Sequence, residues 1–150
     1  LCGGLVVVTW AISGYLLPNA LVGTLLIAFE GTIMLTVSLV GGTRLSTIAN
    51  GVMAFMLYGL AFIGGWIEQI GSFAHNDSAV DVGIMTSLAV PSEALWRMAS
   101  YLMQPPAIRS LGLSPFSVAS SPSAAMLVYA VLYTTALLWL ATHLFASRDL

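Results

Sequence analysis

ALVGTLLIAFEGTIMLTVSLVG (residues 20–41) contains a single charged side chain, Glu30. About 20 apolar residues in a helix cross the hydrocarbon core of a bilayer, so this run alone predicts a membrane-crossing helix. Pro18-Asn19 breaks the chain just before it, and Gly41, Gly42 and Thr43 stop it. Working outward, LCGGLVVVTWAISGYLL (1–17) reads as the latter part of a helix entering from upstream, so the chain is expected to lack an N-terminal part. After a short polar connection, Arg44 to Asn50, a further span follows at about 51–71, from Gly51 through Gly64-Gly65-Trp66 to Gly71. A last span runs at about 124–145, closed by Ala-Ser-Arg-Asp-Leu150. The predicted fold is therefore all-α: a multi-pass transmembrane helix bundle with one partial and three full spans.

Composition agrees. The 150 residues are 59% hydrophobic and 7% charged, against roughly 25% charged in a soluble domain. The stretches 1–29, 45–67 and 110–147 carry no formal charge. A net charge of −2 without a basic cluster gives no electrostatic basis for binding nucleic acid. Cys2 is the sole cysteine, which rules out a disulfide framework or a thiolate metal site within the chain.

Residues 72–123 form the one long connection and hold two arginines and three acids. Within it, Pro91 to Met103 predicts a short helix: Ser92 can cap its first turn, and Glu93 and Arg97 stand four residues apart. Leu95, Met98 and Leu102 share one face, flanked by Trp96 and Tyr101. Such a helix suits the membrane interface, with Trp96, Arg97 and Tyr101 at the headgroup level; packing on the protein's own surface is the open alternative. Pro105-Pro106, Pro115 and Pro122 break the rest of the connection.

Two spans separate Arg44 from Arg148, so both lie on one side, and Arg97 and Arg109 lie on the other. Basic residues close to span ends weigh most in membrane orientation, which discounts Arg97 and places Arg44, Arg148 and the C-terminus in the cytoplasm.

Glu30 is the polar candidate for a translocation path, because a carboxylate in mid-span faces a bundle interior or a wet cavity. Its alternative role is structural, protonated or hydrogen-bonded to a neighbouring helix. Thr24, Ala28, Thr32 and Thr36 recur every four residues on another face, a small-residue stripe that favours helix packing over substrate binding. Tyr129 and Tyr133 stand one turn apart and read as packing or an interfacial belt; Glu68 and Trp66 read as interface anchors. His75 and His143 are isolated, so no metal site is assigned. The chain has no lysine, hence no Walker A loop and no nucleotide site of that kind.

The connections carry a resemblance. A Pro-Asn turn opens a span, Gly-Gly-Thr-Arg-Leu-Ser-Thr-Ile-Ala-Asn-Gly (41–51) joins it to the next, Leu-Ala-Val-Pro-Ser-Glu-Ala-Leu-Trp-Arg (88–97) follows in the long loop, and Phe-Ala-Ser-Arg-Asp-Leu (145–150) ends the chain. In this order of elements the chain resembles the C-terminal portion of a type-2 ATP-binding-cassette (ABC-2) permease, particularly the group associated with multicopper-enzyme maturation. The resemblance extends over nearly all 150 residues. It implies a transporter subunit in the cell membrane that works with a separate ATP-binding subunit and a second permease copy, by alternating access, without a cofactor of its own. It also implies that Arg44, Ser46 and Thr47 face the ATPase and that 72–123 is external. With little polar lining beyond Glu30 and the threonines, a hydrophobic or amphipathic substrate is expected. A non-transporting membrane scaffold or assembly factor is the alternative, and an intramembrane enzyme or ion-coupled carrier is a third.

Overall fold

A computed structural model describes residues 2–14, 18–105 and 123–147. Six helices account for most of them: α1 (Cys2–Ser13), α2 (Ala20–Gly42), α3 (Thr47–Phe73), α4 (Asp77–Ala89), α5 (Ser92–Met103) and α6 (Ala124–Ala146). No strand occurs among the described residues. Helices α2, α3 and α6 are long and apolar enough to cross a membrane; at 1.5 Å per residue they extend about 35 to 40 Å. Many of their large apolar side chains, Leu25, Leu35, Phe55, Ile63 and Trp139 among them, point away from the protein. That is an arrangement suited to a lipid surround and unfavourable in water.

Local chemistry sets the helix ends. Asn19 adopts a left-handed conformation (φ 48°) ahead of α2, a region asparagine tolerates better than most residues. After α2 the backbone N–H groups of Arg44 and Leu45 both donate to the Gly41 carbonyl, closing the turn. Ser46 caps α3 by accepting from the Ala49 N–H, and Asn76 caps α4 by accepting from the Ala79 N–H. Between α2 and α3, the Asn50 side-chain amide donates to the carbonyl and hydroxyl oxygens of Ser38.

The direction of each helix follows from its contacts. α3 runs antiparallel to α2 after the 43–46 turn. α4 then doubles back along α3: Gly71 meets Ala79, Gly83 lies on Glu68 and the Gly64 carbonyl, and Gly64 lies on Thr86. The turn at Val90 and Pro91 is buried, and α5 returns along α2 until the Asn19 side chain donates to the Leu102 carbonyl. The core joins Leu26, Ile33 and Val37 of α2 to Leu95 and Ala99 of α5 and Ala130 of α6. α6 begins beside Glu68 and Arg97 and ends beside Thr43 and Arg44. It therefore runs parallel to α2.

The long connection differs from its expected form. Residues 77–89, expected as loop, are helical, and together with α5 they make a hairpin folded into the bundle. Asp77, Asp81 and a run of small residues give α4 neither apolar length nor an amphipathic stripe; its packing on the glycines of α3 decides its conformation. The apolar face of α5 is covered by protein and not turned to an interface. Leu95 is 1% exposed, and Met98 and Leu102 pack against the core. Trp96 stays exposed. Residues 15–17 of the first expected span, Arg109 with Pro106, Pro115 and Pro122, and Arg148 lie outside the described residues.

Candidate functional site

The seam between the hairpin and α2 and α3 collects most of the ionisable side chains that are not at helix ends. Depth follows from helical rise. Glu30 and Glu93 each lie about 15 Å along their helices from the Asn19–Leu102 end. Arg97 lies about 8 Å from the same end by the same measure, and Glu68 of α3 pairs with it. The antiparallel course of α2 and α5 thus brings Glu30 and Glu93 to one level, with the Glu68–Arg97 pair above them.

Arg97 Nη2 donates to Glu68 Oε2 at 2.7 Å, and Arg97 Nε stands 3.9 Å from Glu93 Oε1. At that separation Nε is buried and makes no hydrogen bond. Glu93, 6% exposed, lies flat against α3 at Gly65, where any Cβ would collide with its carboxyl. Glu30, 8% exposed, has the Tyr58 hydroxyl of α3 within hydrogen-bonding reach and lies close enough to Glu93 for the two to repel. Burial pushes the Glu93 carboxyl up to about 7, against the pull of Arg97 and with Glu30 and Glu68 adding to the rise. The folded chain therefore holds this proton more tightly than an unfolded one. The Glu93 contribution to stability is complete below about pH 4.5, the ordinary value, and is lost as pH rises through about 7.

A cavity of about 200 Å³ adjoins the network, lined by Glu68 and Arg97 together with Ser87 of α4 and Ser123 and Met126 at the start of α6. Below it, α6 holds the hairpin turn. The Tyr129 hydroxyl donates to the Leu88 carbonyl and the Tyr133 hydroxyl to the Ala89 carbonyl, the latter at 3.0 Å. These carbonyls belong to the last turn of α4, whose acceptors have no partner within the helix. Of the two expected roles, packing or an interfacial belt, the hydrogen bonds give the two tyrosines a packing role, that of satisfying a helix end inside the bundle.

The other expected residues are distributed as follows. Thr24, Thr32 and Thr36 return their hydroxyls to the carbonyls of Ala20, Ala28 and Ile33 in their own helix. Thr36 is buried, Thr24 half-buried and Thr32 exposed, so they do not converge with Glu30 on one lining. Arg44, Ser46 and Thr47 are exposed on the α2–α3 turn, where Ser46 serves as the α3 cap. Arg97 is an ion-pair residue, while Trp96 points outward and Tyr101 is half-buried. Tyr58, Glu68 and Gly65 join the site without having been singled out for it. A tyrosine inside a charge-free apolar run was the one available signal for Tyr58, since its hydroxyl needs a partner there. Nothing in the spacing of Glu68 and Arg97, 29 residues apart, announces their pairing. Comparison with protein-family models, with curated proteins and with solved structures gave no match to this chain.

Proposed function

We propose that this chain is the membrane-spanning permease part of an ATP-binding-cassette exporter, with ATP bound and hydrolysed by a separate subunit. The observation that supports the reading is the position of the exposed Arg44–Thr47 turn. It sits with the end of α6 at one end of the bundle, while the hairpin and its ion network occupy the other half. The motif Gly41–Gly51, which carries much of the ABC-2 resemblance, coincides with that turn.

In this reading α2, α3 and α6 cross the membrane, with the Arg44 turn and the C-terminus in the cytoplasm. α4 and α5, about 20 Å and 18 Å long, are too short for the roughly 30 Å hydrocarbon core; they enter from the outer side and return to it. Such a broken element inside a bundle is expected where it meets a polar interior. Two copies of the permease form the pathway, and an amphipathic substrate suits walls that combine the Glu30–Arg97 network with apolar helix faces.

The test is co-purification of the full-length protein with the ATPase encoded beside it. Replacing Arg44 and Thr47 with alanine is expected to weaken the complex by at least tenfold. Full retention of the complex removes the coupling role from this turn. A neighbouring partner that lacks a nucleotide-binding loop favours the scaffold reading.

A further inference from the structure

We propose that Glu30 and Glu93 form a proton-binding site inside the bundle, taking up one proton through the cavity beside Glu68 and Arg97. The inference rests on the membrane-crossing part of the preceding reading and is independent of the ATPase.

Charge balance carries the first step. Three carboxyl groups, Glu30, Glu68 and Glu93, share one guanidinium among the described residues. Arg97 is committed to Glu68 at 2.7 Å and stops at 3.9 Å from Glu93, with its Nε buried and unbonded. Tyr58 supplies Glu30 with a neutral hydroxyl and no charge. Two buried carboxylates that repel each other, without a cation for each, relieve the cost when one of them takes a proton. The pair then titrates as a unit.

Construction of the site carries the second step. Glu93 reaches this position because position 65 has no side chain, and it is held there by the buried turn at Val90–Pro91 that the Tyr129 and Tyr133 hydroxyls secure from α6. The facing groups are thus Glu30 from α2, Tyr58 and Glu68 from α3, Arg97 from α5, and the two tyrosines from α6. α4 brings Thr86, which is not ionisable, to this level, while its acids Asp77 and Asp81 are exposed near its start. No three acidic, histidine or cysteine side chains among the described residues converge as metal ligands. The cavity is lined by Glu68 and Arg97, the groups next to Glu93, and the proton adds to a carboxylate oxygen without any other bond changing.

The decisive experiment is an infrared pH titration of the full-length protein in phosphatidylcholine vesicles, following the stretching band of protonated carboxyl groups. One band is expected to titrate between about pH 5 and pH 9, a range opened to carboxyls by burial and like charge. Glu93→Gln should abolish it, Glu30→Gln should move its midpoint to lower pH, and Asp81→Asn should leave it unchanged. Absence of any band titrating in this range overturns the proposal, as does a band indifferent to both Glu30→Gln and Glu93→Gln. Should the variants fail to fold, labelling of the wild-type protein with a hydrophobic carbodiimide decides the location. Labelling of Glu93 or Glu30 that declines with rising pH supports the site, and labelling confined to Asp77 and Asp81 overturns it. Because no nucleotide or partner subunit is present, a failed co-purification and a failed titration are separate results.

Discussion

Beside the hairpin, α3 meets Glu93 at Gly65 and pairs its Glu68 with Arg97, while α2 buries Glu30; toward the Arg44 turn, α2 and α6 present Ile33, Val37, Ala130, Thr134 and Ala141 to the interior. In this second region the hydroxyls of Thr36, Thr43 and Thr134 are satisfied by carbonyls of their own local backbone. The difference teaches where the polar interior originates. The long helices are nearly charge-free and cover most of their own polar groups, whereas the hairpin imports two charged side chains, pairs Arg97 with Glu68 and sets Glu93 within electrostatic range of Glu30. The hairpin half of the bundle holds the buried side chains of Glu30 and Glu93 and the half-buried Arg97, and the other half is a packed support.

The largest effect expected from this contrast follows from Gly83→Leu. A side chain there meets Glu68 Cα and the Gly64 carbonyl oxygen at 2.8 Å, backbone atoms that no rotamer change removes. Overpacking of this kind costs about 3 kcal/mol. Thermal unfolding in detergent should show it, and protease cleavage between 74 and 91 should rise as the hairpin separates from α3. Next, Arg97→Met leaves Glu68 and Glu93 without their cation. Breaking such a pair costs about 2 kcal/mol once its partial exposure is discounted, and a double-mutant cycle with Glu68→Gln should recover a large part of the loss. Tyr133→Phe removes one hydroxyl and strands the Ala89 carbonyl, at about 1 kcal/mol, read as faster hydrogen exchange around the hairpin turn. The smallest effect belongs to the supporting half and its outward face: Thr32→Val should change stability by less than about 0.5 kcal/mol, because its hydroxyl serves only Ala28. A large loss from Thr32→Val with a negligible one from Arg97→Met would reverse the comparison.

The long helices were legible for a physical reason: a charge-free apolar run of this length has one inexpensive environment. The Pro18-Asn19 break, the Gly41-Gly42 stop and the Ser46 cap were legible because they act through neighbouring backbone. Within the site, Glu30 stood out as a charge in an apolar span and Glu93–Arg97 as a pair one helical turn apart. Tyr58, Glu68 and Gly65 did not, because their roles depend on which helix lies opposite. Asp77 to Ala89 was missed for the same reason, since its small-residue face becomes informative only against Gly64 and Gly71.

By itself, then, the sequence determined an all-helical chain with three helices fit for a membrane, because hydropathy and backbone punctuation are local properties. Only the tertiary structure decided that the 72–103 segment turns inward, that Tyr129 and Tyr133 hold its turn, and that Glu30 and Glu93 come near enough to repel. Those outcomes depend on which surfaces can approach within van der Waals distance, and close approach between helices distant in sequence is set by shape, which hydropathy does not encode.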